Sequence, residues 1–292
     1  MGFPNLVLPF DDALIARLSE RVLAVRVTDP SDVLTVNERV KSSGNRLSLI
    51  ILDAQVALGE VTFNESWAGI NLAVFADRMG PFRDLARQLR LIRELGPSFY
   101  LPADEPENLT SFRIMSSVNL RCGALFSGRG PIDWEKLADL MTYALVGTVP
   151  HGPIEPFSTI AGHYRRAEWI EWGPIFFDDP AHFLHVDPDG RIAFSRRELL
   201  QGEFIEEDIG RLDDAVVSPA YRDRVDHHKR LFLEFHPCSR CPGWRVCLGK
   251  FSQNGDDRKD CAAFTAEMIA LLDEIETRHD EPGKEGHDHR HL

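Results

Sequence analysis

Four of the five cysteines, Cys238, Cys241, Cys247 and Cys261, follow the spacing Cys-x2-Cys-x5-Cys-x13-Cys. Two cysteines separated by two residues can offer both sulfurs to one ion or cluster from a tight turn. A third ligand five residues on closes the loop, and a fourth from the start of a helix completes a four-thiolate shell. Such a shell suits tetrahedral Zn²⁺ or a [4Fe–4S] cube. Pro242-Gly243, directly after Cys241, permits a sharp turn and leaves backbone room beside a bulky group. Trp244 is expected to shield one face from water, and Arg240, Arg245 and Lys250 are expected to offset thiolate charge. Zinc ribbons usually pair two Cys-x2-Cys knuckles, and only one is present here. The pattern therefore favours an iron–sulfur cluster, with zinc as the alternative.

The remaining candidates read as structural. Cys122 lies in the apolar, strand-like stretch NLRCGALF and is expected to be a buried, inert thiol. Chemistry there would need His151 or His163 to approach it. Asp178-Asp179-Pro180 and Asp187-Pro188-Asp189 are expected to form turns rather than acid pairs. His227, His228 and His236 flank the cysteine segment, but four thiolates already fill a shell. His287, His289 and His291 belong to a charged, Pro- and Gly-containing stretch expected to be a disordered tail over 279–292.

The elements that must position these residues read as α/β. Strands are expected at Val22 to Val27, Arg46 to Leu52, Ile70 to Phe75, Ser98 to Leu101 and Ser111 to Met115. Helices are expected from Asp11, over Phe82 to Leu95, over Asp133 to Val146 and over Asp260 to Arg278. Their alternation implies βαβ units and a largely parallel sheet. Asp189-Gly190 marks a hairpin within Phe183 to Ser195.

With 33 Lys plus Arg against 46 Asp plus Glu, the net charge of −13 argues against nucleic acid as a partner. That acidic balance suits a basic partner face instead. No apolar run is long enough for a membrane span, and residues 1–10 lack the character of a signal peptide. The expected location is therefore cytoplasmic, where thiols stay reduced and disulfides are disfavoured.

From about Ile175 to Ile275 the chain resembles the SPASM domain, the auxiliary-cluster domain that follows the barrel of many radical SAM peptide maturases. The resemblance rests on the hairpin LHVDPDGRIAFS, on CSRCPGWRVCLGKF and on DCAAF. It implies that Cys238, Cys241, Cys247 and Cys261 hold one [4Fe–4S] cluster. Two family cysteines, ligands of a further cluster, are replaced by Phe251 and, at the end of the hairpin, by about Ser195. That further cluster is not expected. Upstream, TDPSDVLTVNERV stands where the family has Cys-x3-Cys-x2-Cys, and Leu58-Gly59-Glu60-Val61 is a poor match to its GGEP motif. No S-adenosylmethionine chemistry is therefore expected.

The resemblance implies a degenerate partial (βα) barrel over 1–172 and a small cysteine-rich domain over 173–278. Its function would be that of a non-catalytic partner to a radical SAM enzyme or its precursor peptide. The cluster would then serve in electron relay or docking. The alternatives are a zinc-stabilised binding module, or an enzyme with an unrecognised site in the N-terminal region.

Overall fold

The computed structural model describes residues 3–126, 130–166, 170, 172–177, 179–226, 233–249, 251 and 258–280. Nine strands among them form one sheet in the order β7-β6-β5-β4-β3-β2-β1-β8-β9. In chain order these are β1 (Asn5–Pro9), β2 (Val22–Val27), β3 (Arg46–Asp53), β4 (Leu72–Phe75) and β5 (Ser98–Pro102). They are followed by β6 (Arg121–Leu125), β7 (Ile154–Glu155), β8 (Phe183–Val186) and β9 (Ile192–Ala193). Every neighbouring pair is parallel except β8–β9.

The first seven strands are ordered as they occur in the chain, so every crossover steps in one direction. Right-handed crossovers then place the connecting helices on one face. The side chains show this division directly. Leu6, Leu23, Val25, Ile50, Leu52 and Phe99 pack in the large core that includes the helices. The alternate residues Val7, Ala24, Ile51, Ala73 and Tyr100 form a second cluster with Phe177 and Phe183.

The helices follow local signals. Helix α1 (Asp12–Ala16) is capped by Asp11, whose carboxylate accepts from the N–H groups of Ala13 and Leu14. Helix α2 (Asp32–Ser42) buries Val33, Val36 and Val40. The helical pattern over Phe82 to Leu95 divides into α3 (Phe82–Ala86) and α4 (Leu89–Leu95), the latter ended by Gly96 at φ +64°. The expected strand at Ser111 to Met115 is instead part of helix α5 (Pro106–Ser117). Pro106 favours a helix start, and Leu109, Phe112 and Met115 recur at helical spacing on its buried side. Helix α6 (Trp134–Val146) is capped by Asp133 as expected, and α7 (Phe157–Arg166) follows β7.

Beyond residue 172 the chain returns to the same sheet. After helix α8 (Gly173–Phe176), β8 pairs with β1 and turns back through Asp187 and Gly190 into β9. The Asp187 carboxylate accepts from the N–H groups of Asp189 and Arg191, so its role is the turn. Asp179 likewise accepts from the Ala181 N–H. Short helices α9 (Arg196–Gln201), α10 (Leu212–Ala215) and α11 (Pro219–Val225) lead to the cysteine segment. That segment contains helix α12 (Trp244–Cys247) and the final helix α13 (Arg258–Asp280). Among the described residues, no helix is long and apolar enough to cross a membrane. Asp178, His227, His228, Lys250 and the tail from residue 281 onward lie outside the described residues.

Candidate metal centre

Each of the four clustered cysteines occupies a distinct local structure. Cys238 lies in the 3-10 turn Pro237–Arg240, and Cys241 is its extended C-terminal cap. Cys247 ends α12, and Cys261 lies in the first turn of α13. Cys247 and Cys261 are buried, whereas Cys238 and Cys241 are half-buried.

Backbone geometry joins the four positions. The Cys241 N–H donates to the Cys238 carbonyl at 3.1 Å, and the Cys247 N–H to the Gly243 carbonyl at 2.9 Å. Gly243 lies so close to α13 that a Cβ there would stand 2.3 Å from Thr265 Oγ1. This contact is why the Pro-Gly turn needs glycine. Cys241 Sγ is 3.8 Å from the same Thr265 hydroxyl, which itself donates to the Cys261 carbonyl at 2.9 Å.

Cys247 has the most developed environment. Leu248 and Gly249 both take positive φ, at +48° and +83°, and turn the chain back over the sulfur. Phe251 N–H then donates to Cys247 Sγ at 3.4 Å, and Gly249 N–H donates as well. Burial, aided by the charges of Cys261 and Cys238 and opposed by the two N–H groups, pushes the thiol up to about 12. Binding a metal would require the thiolate, and the two N–H donors are groups that favour it. Cys238, Cys241, Cys247 and Cys261 are all of the residue type that supplies thiolate ligands, and buried Cys247 is the one that the two N–H groups approach. Among the described residues, no three His, Cys, Asp or Glu side chains meet as ligands of one metal ion.

The surrounding residues have structural tasks. His236 Nδ1 accepts from the Cys238 N–H at 3.2 Å and caps the 3-10 turn. Ser195 caps α9, its hydroxyl accepting from the Glu198 N–H at 3.2 Å. Phe251 is 1% exposed and packs edge-on against Phe126, Trp172 and Phe264. Cys122 is buried between the carbonyls of Phe112 and Pro153, and burial raises its thiol well above the ordinary range. His151 is engaged elsewhere, with Ser116 and Gly152, and His163 with Thr159.

Two sets of aromatic contacts, joined among the described residues only through the backbone of Phe176 and Phe177, lie on either side of the sheet beside the cysteine segment. Phe251 meets Trp172 at 6.2 Å between ring centroids, and Trp172 stacks on Phe176 at 5.5 Å. The next residue, Phe177, meets Tyr100 at 5.7 Å, and Tyr100 meets Phe75 at 4.9 Å. Neither the connection nor its residues carry a motif that sequence reasoning could use.

Comparison with protein-family models and with curated proteins found no match for the sequence.

Proposed function

We propose that the chain is a non-catalytic iron–sulfur partner of a radical SAM peptide-maturation system. One [4Fe–4S] cluster is held by Cys238, Cys241, Cys247 and Cys261 in a SPASM-like segment, beside a degenerate partial barrel. The observation that carries this reading is the Cys247 environment, where the backbone N–H groups of Phe251 and Gly249 both donate to the buried sulfur. Fully thiolate-ligated, the cluster has no open iron and suits electron relay or docking better than Lewis-acid chemistry.

Three further features support it. The stretch that carries the cluster cysteines in radical SAM enzymes forms the cysteine-free helix α2, whose valines serve the core. Ser195 and Phe251, at the positions of the two missing ligands, serve as a helix cap and an aromatic core residue. The ring contacts from Phe251 through Trp172 to Phe176 give the relay reading a short packed aromatic path beside the cysteine segment.

Anaerobic reconstitution with iron and sulfide tests this assignment of ligands. The wild type and Cys122→Ala should gain a brown absorbance that dithionite bleaches, and Cys247→Ala should not. Equal absorbance in the wild type and Cys247→Ala would reject the ligand set.

A further inference from the structure

The turn between α2 and β3 brings two cations to one cavity at the amino end of the sheet. Lys41 lies one helical turn after Asn37 on α2, beside the buried Val36 and Val40. Gly44, at φ +77°, then turns the chain, and Arg46 opens β3. Asn37, Lys41 and Arg46 line a cavity of about 340 Å³ together with Ser48 of β3 and with Gly69 and Asn71 just before β4. That volume lies at the small end of the range for ligand pockets.

The cavity is one-sided in charge. None of its lining residues is acidic. Neither Lys41 nor Arg46 forms an ion pair among the described residues, although the chain carries a net charge of −13. Arg39, on the same helix but outside the lining, is by contrast paired with Asp12 at 3.4 Å. Lys41 stands in the last turn of α2, where the helix dipole favours a cation without neutralising it. Two like charges lining one space repel each other, and an anion between them removes that repulsion. Neutral polar groups complete the lining. The Ser48 hydroxyl donates to the Leu23 carbonyl at 3.0 Å and Asn71 Nδ2 to the Ser48 carbonyl at 2.9 Å, which leaves the Ser48 Oγ and Asn71 Oδ1 lone pairs for other donors. The Asn37 carboxamide has no hydrogen-bond partner among the described residues.

We propose that this cavity binds a phosphate monoester of a small hydroxylated molecule. A phosphate monoester carries about −1.5 to −2 charges at neutral pH, which two cations match and a single carboxylate does not. The Arg46 guanidinium takes two phosphate oxygens as a fork, and the Lys41 ammonium serves as a point charge for the third. Asn37, Asn71 and Ser48 receive the hydroxyl groups of the ester. No cysteine lines the cavity, so failure of this proposal would leave the metal reading untouched.

Calorimetric titration of the full chain with glycerol 3-phosphate and with glycerate, at low ionic strength, tests the proposal. Glycerol 3-phosphate should bind saturably, and glycerate about fivefold more weakly or worse, because its single charge engages only one cation. Lys41→Gln and Arg46→Gln should each weaken binding of the phosphate ester by a similar factor. Both side chains are exposed, so the melting temperature should not change in either variant. Arg39→Gln removes a cation from the same helix without touching the cavity, and it should bind as the wild type does. No saturable binding of glycerol 3-phosphate into the millimolar range, or equal binding of glycerate, would overturn the proposal. Unchanged binding in both Lys41→Gln and Arg46→Gln would overturn it as well. So would an equal loss in Arg39→Gln, since diffuse attraction would then account for the binding.

Discussion

Cys122 and Cys247 are both buried thiols, yet their surroundings differ in kind. Around Cys122 stand carbonyl acceptors, with the Glu155 carboxylate nearby, all of which disfavour a thiolate. Around Cys247 stand backbone N–H donors. Cys122 should therefore resist iodoacetamide in the native protein and react only after unfolding, as mass spectrometry of the alkylated peptides would show. Gly243 sets how closely α12 approaches α13. A methyl group there collides with Thr265, so Gly243→Ala should cost about 1–3 kcal/mol in denaturant unfolding and reduce cluster loading. Wild-type stability in that variant would contradict the close approach of α12 and α13. The cysteine spacing was legible in the sequence because thiols are scarce and clustered. His185 was not, since one histidine inside an apolar strand carries no sign of which nitrogen lacks a partner.

Among the elements, the buried parallel strands β2 and β3 were legible as short apolar runs bounded by polar residues. The hairpin β8–β9 was legible because Asp189-Gly190 forms its turn, with Gly190 at φ +88°. Helix α5 was misread because Phe112, Ile114 and Met115 taken alone resemble a strand, and only the longer period from Leu109 reveals the helix. The edge strand β7, two residues long, offered no periodicity at all. Helix α9 begins at a side-chain cap. Its Ser195 cap satisfies the Glu198 N–H, so Ser195→Ala should lower stability by about 1 kcal/mol, whereas Ser195→Asp should largely preserve it. Measuring both by urea unfolding separates capping from any other role of the hydroxyl. Equal loss in the two variants would reject capping.

Across the whole molecule, the cysteine segment and the sheet share one core. Val246, Cys247, Phe251 and Phe264 belong to the same buried cluster as the strands and their helices. Phe251→Ala should accordingly cost about 3–5 kcal/mol and lower a single cooperative melting transition. Melting in two separate steps would contradict the shared core. Acid stability gives a second prediction. Burial lowers His185 to about 3, with Arg26 and Arg196 adding to the shift. An unfolded histidine titrates near its ordinary 6.5, so between these values the unfolded chain binds the extra proton. This contribution to stability is complete above about pH 6.5 and is lost on acidification toward pH 3, by about 1.4 kcal/mol per pH unit. Between pH 7 and pH 5 the wild type should lose about 2 kcal/mol more than His185→Leu, and parallel losses would contradict the assignment.

Metal content is the decisive property of the proposed centre at Cys238, Cys241, Cys247 and Cys261. The chain should be purified without oxygen and assayed for iron, acid-labile sulfide and zinc alongside its visible spectrum. A bound [4Fe–4S] cluster should give about four irons and four sulfides per chain, with absorbance that dithionite bleaches. One zinc per chain with no sulfide would contradict it and leave a structural zinc module in its place.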